Sequence, residues 1–221
     1  MTEQTLITLT LAILIASIAA VEIRNLRTTA FAYLLHSIFL CAIIISYAIL
    51  KDNPSLFLWA LTCFITKVVV LPYMILRFIR MLPPIEHRPL IGFGISVTLV
   101  SVLLVVFFHL FKNYLFLLAP TEIAMQEPVR SLLAGAFTIF TLGIWTLLTR
   151  RDAIKTVIGL ALLENGVHLI LLALTPTLRE TTMIGILTNV VAVVFLLLYL
   201  SSNIYQVFGS TDTVKLSELK R

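Results

Sequence analysis

Residues 149–174 read TRRDAIKTVIGLALLENGVHLILLAL. Charge is packed into the opening Arg150, Arg151, Asp152 and Lys155, and from there to Leu174 Glu164 is the only formally charged side chain. As a helix, the run 153–174 is about 33 Å long, enough to cross a hydrocarbon core of about 30 Å. A carboxylate then sits near the middle of an apolar helix, where insertion of a charged side chain costs about 2.5–3.5 kcal/mol. Both the fold and the site follow from that conflict.

The rest of the chain repeats the pattern. Of 221 residues, 60% are apolar or aromatic and 12% are charged, with a mean hydropathy of +1.06. An average soluble domain has about 45–50% apolar and about 25% charged residues, so a water-soluble globule is excluded. Six further apolar runs cover roughly 4–21, 29–50, 54–76, 89–111, 130–149 and 181–206. Turn and helix-end chemistry separates them: Lys51-Asp52-Asn53-Pro54, Pro83-Pro84, Pro120 with Pro128, Arg150-Arg151-Asp152, and Pro176. The expected fold is an all-α integral membrane protein with seven transmembrane helices. Its regions are a four-helix part (1–111), an outer loop (112–129), a three-helix part (130–206) and a cytoplasmic tail (207–221). The first run carries Glu3 and no basic residue in its first turn, so it reads as an uncleaved span, not a secretory signal.

Apart from Lys67, the fifteen other Lys and Arg lie outside these runs or in their first turn, eleven on one side and four on the other. The richer side holds Arg24, Arg27, Arg77, Arg80, Arg88, Arg150, Arg151, Lys155, Lys215, Lys220 and Arg221; the poorer holds Lys51, Lys112, Arg130 and Arg179. Because cytoplasmic loops retain positive charge, the N-terminus is expected outside and the C-terminus in the cytoplasm. The net charge of +5 is spread in short clusters with no basic face, which excludes nucleic acid as a partner. Cys41 and Cys63 lie inside apolar runs and read as small buried hydrophobes. No phosphate loop, nucleophile elbow or Cys/His ligand cluster occurs, so the chain carries no recognisable catalytic centre or cofactor site of its own.

Function therefore falls to polar residues within the spans. Lys67 lies about 13 Å and Glu164 about 16 Å from the cytoplasmic ends of the third and sixth runs, so adjacent helices would let them pair. His168 follows Glu164 by one turn on the same face. Asn189 stands at about 24 Å and His36 at about 10 Å, which makes a stepped polar track suited to proton relay. Pro72 is expected to kink the third helix and free a carbonyl near Lys67. Trp59, Trp145, Tyr73 and Tyr199 read as packing or interface anchors. Haem between two histidines is the cofactor alternative, and the unequal depths of His36, His109 and His168 argue against it. Shifting residues 27–37 by 128 lays YLLHS over ALLEN and His36 over Glu164, a weak sign of internal duplication.

The stretch 149–174, with FITKVVVLPYMI upstream and the motif LLENG followed by His168-Leu169, resembles component E of hydrogenase-4. The last three spans also resemble the K subunit of respiratory complex I. These resemblances imply a non-catalytic, multi-pass subunit of the cell inner membrane in a complex-I-like group 4 nickel-iron hydrogenase of formate hydrogenlyase type. They imply antiporter-like and complex-I-like membrane partners, and a soluble hydrogenase arm that holds the nickel-iron and iron-sulfur centres. The candidate residues for proton or sodium movement are those of the polar track, Glu164, Lys67, His168, Asn189 and His36. Two departures stand out. Glu164 is displaced by about one turn from the carboxylate of the complex I subunit, and the final helix offers Asn189 where such proteins carry a second acid. A purely structural scaffold, a non-hydrogenase relative and an independent small transporter stay open as alternatives.

Overall fold

A computed structural model describes residues 3–81, 92–150, 152–175 and 180–209, with the side chains of 180–184 and 208 left aside. Pro83-Pro84, Arg88, Arg151, Pro176, Arg179 and the tail bearing Lys215, Lys220 and Arg221 lie outside the described residues. The helices are α1 (Glu3–Glu22), α2 (Leu26–Leu50), α3 (Ser55–Cys63), a π-helical segment (Phe64–Val70) continuing into α4 (Leu71–Met81), α5 (Phe93–Leu118), α6 (Glu122–Met125), α7 (Val129–Thr149), α8 (Ala153–Leu174) and α9 (Glu180–Phe208). Among the described residues, seven helical stretches are long and apolar enough to cross a membrane, Ser55–Met81 counting as one.

Short polar side chains set the helix starts. Asn25 accepts from the amides of Arg27 and Thr28 to open α2, and Asp152 accepts from those of Ile154 and Lys155 to open α8. Asn53 and Pro54 start α3, with the Ser55 amide donating to Asn53 Oδ1 at 3.1 Å. The fourth long helix differs from expectation: it starts at Phe93 and runs past residue 111 to Leu118, with a break in helical geometry at Tyr114. Lys112 does not stop it because its charge is satisfied. Its Nζ reaches Glu127 Oε1 and Ser131 Oγ, each at 2.8 Å, while Arg130 Nε donates to its carbonyl at 2.9 Å. Burial alone would raise the Glu127 carboxyl, but hydrogen bonds from Lys112 and Ser131 outweigh it and hold the group below its ordinary value.

Two hairpins, α1–α2 and α7–α8, pack together through α1 and α7; α5 lies against both of those helices, and α9 lies against α3, α4 and α8. Glycine permits the closest approach. A Cβ on Gly143 would stand 2.5 Å from the Leu163 amide nitrogen, and one on Gly166 would stand 2.8 Å from the Ala136 carbonyl oxygen. Two separate apolar cores result. One gathers Leu14, Leu40, Cys63, Ile139 and Leu169, the other Val21, Tyr33, Leu71, Leu142 and Leu162. In α2, α8 and the third span, the residues between the two cores are those that carry His36, Lys67 and Glu164.

Because backbone would have to move, Gly166→Leu and Gly143→Val are expected to lower the thermal stability of the detergent-purified protein by about 1–3 kcal/mol or more. Gly185→Ala, which meets nothing within 4 Å and lies inside α9, serves as the control in the same unfolding measurement and is expected to keep or raise stability.

Candidate functional site

Lys67 is entirely buried, and its ammonium donates to Glu164 Oε2 and to Asn165 Oδ1. The π-helical stretch that carries it is closed by the Leu71 amide bonding to the Thr66 carbonyl five residues back, directly before Pro72, which has no N–H to offer. The kink expected from the proline thus takes the form of a widened turn around the lysine. On the facing helix, His168 Nε2 stands 3.2 Å from Glu164 Oε1, and the Trp59 ring meets the His168 ring edge-on with centroids 6.0 Å apart. Glu164 retains 12% side-chain exposure, whereas Lys67 has none.

His36 is also fully buried, on α2, with Nδ1 3.0 Å from Ser17 Oγ. The Ser17 hydroxyl spends its one proton on the Ile13 carbonyl at 2.8 Å, so it accepts from His36 Nδ1–H. That assignment leaves His36 Nε2 as a bare acceptor. Tyr33 stacks on the same imidazole at 6.2 Å between centroids. Of the five residues singled out from sequence, Lys67, Glu164 and His168 therefore meet directly and His36 lies in the same buried interior, whereas Asn189 falls on the exposed face of α9. Asn165 and Trp59 belong to the cluster although neither was singled out for the site. Asn165 adjoins Glu164 in sequence, but adjacency alone does not say which face of the helix it takes.

A second charged cluster joins the helix ends. Arg150 donates to Glu22 Oε1 and, at 3.0 Å, to Ser96 Oγ, and Ser96 donates to Glu22 at 3.1 Å. Burial lowers the Arg150 guanidinium below its ordinary value, and the facing Glu22 carboxylate works against that shift. Lys155, expected in a loop, is instead buried. Its ammonium donates to the Ala20, Val21 and Ile23 carbonyls at 3.1, 3.0 and 2.6 Å, closing the end of α1 where helix carbonyls lack partners.

With this geometry in place, comparison with known proteins gives two results. Over 208 residues, 94% of this chain and 93% of the relative, identity is 26% to "Hydrogenase-4 component E" of Escherichia coli strain K12. The chain is similar to hydrogenase-4 component E. The same proteins of Escherichia coli O157:H7 and Shigella flexneri match at the same 26% identity and coverage. Residues 131–221 match the family model of NADH-ubiquinone/plastoquinone oxidoreductase chain 4L. That segment takes in Glu164, Asn165 and His168 but not Lys67, so the ion pair joins the matched segment to the remainder of the chain. No solved structure matches significantly.

Glu22→Ala is expected to destabilise the protein by about 3–5 kcal/mol because it strands the buried Arg150. A Glu22→Met/Arg150→Met double variant should recover much of that loss in the same thermal unfolding assay.

Proposed function

We propose that the chain is a membrane-arm subunit of a complex-I-like assembly of the hydrogenase-4 or formate hydrogenlyase type, and that its buried polar residues support proton or sodium translocation. Similarity to hydrogenase-4 component E across 94% of the chain supports the assembly. The single observation that carries the transport role is the contact of Lys67, Glu164 and His168 between two apolar cores. A carboxylate with 12% side-chain exposure beside a buried ammonium has both a counter-charge and a way out. Glu164 is the exchanging centre, Lys67 answers its change of charge, His168 leads outward, and His36 serves the inner side, while Asn189, on the exposed face of α9, is left out of the path. Antiporter-like and complex-I-like membrane subunits are the partners, with the soluble hydrogenase arm reached through them.

The chain divides into a four-helix part ending at Leu118, a short connection that holds α6, a three-helix part from Val129 to Phe208 like the complex I K subunit, and a tail. The unequal distribution of Lys and Arg supports an external N-terminus and a cytoplasmic C-terminus in the cell inner membrane. A scaffold role is the second reading, favoured by α5 and α9, which are the least enclosed of the spans and leave long apolar faces open to partners.

Glu164→Gln is expected to cut ion translocation in native membrane vesicles by about a hundredfold, as loss of an essential proton-exchanging group does, with subunit assembly retained. Unchanged pumping removes the transport role; loss of assembly in Lys67→Ala with no separate transport defect favours the scaffold. A fluorescent protein fused to the C-terminus is expected to mature, and alkaline phosphatase fused there to stay inactive. The reverse pattern inverts the topology.

A further inference from the structure

We propose that Tyr33 passes protons between His36 and the Lys67–Glu164–Asn165 centre, through bound water held by Tyr33, Ser37, His36 and Asn165. The inference rests on the transport reading above and narrows the ion to the proton. Tyr33 lies wholly inside the protein on α2, stacked on His36, with Ser37 one turn on along the same helix and Asn165 on the packed helix α8, and its hydroxyl has no hydrogen-bond partner. Four buried polar atoms, Tyr33 Oη, Ser37 Oγ, His36 Nε2 and Asn165 Nδ2, have no protein partner. A buried tyrosine hydroxyl usually has one, and phenylalanine would fill the same space without the desolvation.

The four atoms are chemically complementary. Asn165 Nδ2 only donates, His36 Nε2 in the assigned tautomer only accepts, and both hydroxyls do either. Water, with two donors and two acceptors, satisfies such a set. A proton taken up at His36 Nε2 passes to the water beside it as that water gives one of its own to the Tyr33 oxygen and the Tyr33 O–H proton leaves toward Glu164, so that His36 returns to its neutral form and no hydroxide is left. One O–H bond forms while another breaks, tyrosine is regenerated, and the excess proton ends on the Glu164 carboxylate. Lys67 then keeps Asn165 Oδ1 as its acceptor. Sodium has no equivalent route, because the Lys67 ammonium already fills the cation position between Glu164 and Asn165.

The test compares Tyr33→Phe, Ser37→Ala and Glu164→Gln in native vesicles containing the assembled complex. It measures acidification, sodium uptake, and the ratio of acidification rates in light and heavy water. Tyr33→Phe is expected to slow proton translocation about tenfold and raise the isotope ratio, with assembly and electron transfer intact; Ser37→Ala is expected to shift both in the same direction. A Glu164→Gln defect alongside a wild-type rate and isotope ratio in Tyr33→Phe overturns the inference and leaves the transport reading standing. Sodium uptake that is indifferent to Tyr33→Phe does the same. Wild-type pumping in all three variants removes both.

Discussion

The pairing of Lys67 with Glu164 is the constraint around which the chain is arranged. Each charge alone would make its own span costly to insert, and neither is close enough to a helix end to snorkel out. Their helices must therefore lie side by side with the two residues at one level. That requirement joins the third span to the sixth and so binds the first half of the chain to the segment that matches chain 4L. The other long helices can be seated relative to this contact: α7 against α8 through glycine, α1 against α7, and α9 across α3, α4 and α8.

Stability alone is a weak reason to keep such a pair. Removing one partner from a buried ion pair costs about 3–5 kcal/mol, yet replacing both with well-packed apolar residues is often neutral or stabilising by about 1–4 kcal/mol. What the charges contribute is a polar layer between two apolar cores, continued by Asn165, His168, His36 and Ser17. The π-helical turn serves the same layer. Pro72 cannot close an α-helical bond to the preceding turn, and the looser segment Phe64–Val70 carries the lysine. A regular helix would require another residue at position 72, so the proline and the lysine are parts of one local device.

Depth was legible in the sequence; direction around the helix axis was not. Counting residues from the loops placed Lys67 and Glu164 at one level, and periodicity placed His168 over Glu164, because both depend only on rise and turn along one helix. Asn189 shows the limit of that arithmetic. Its level suits the path, but the direction it faces depends on how α9 packs against α3, α4 and α8, and it faces outward. Lys155 went unrecognised for the opposite reason. A lysine at the start of a span reads as loop charge, and only the arrival of the α1 carboxy-terminal end gives it three carbonyls to bond.

The order of packing also bears on the repeat suggested by YLLHS and ALLEN. In each half a hairpin, α1–α2 or α7–α8, is followed later by a long span that packs on the other half: the stretch Ser55–Met81 in the first, α9 in the second. The hairpins' second helices both open on an Asx cap. Those caps, Asn25 and Asp152, stand 127 positions apart, whereas the sequence pairing of His36 with Glu164 needs 128. Aligned by their caps, Ser37 faces the glutamate's position instead. In either register the first hairpin offers a neutral, hydrogen-bonding residue where the second has the acid, and the first half supplies its charge from the following span as Lys67. A division of the two charges between halves makes each depend on the other, since neither half could bury its polar layer alone.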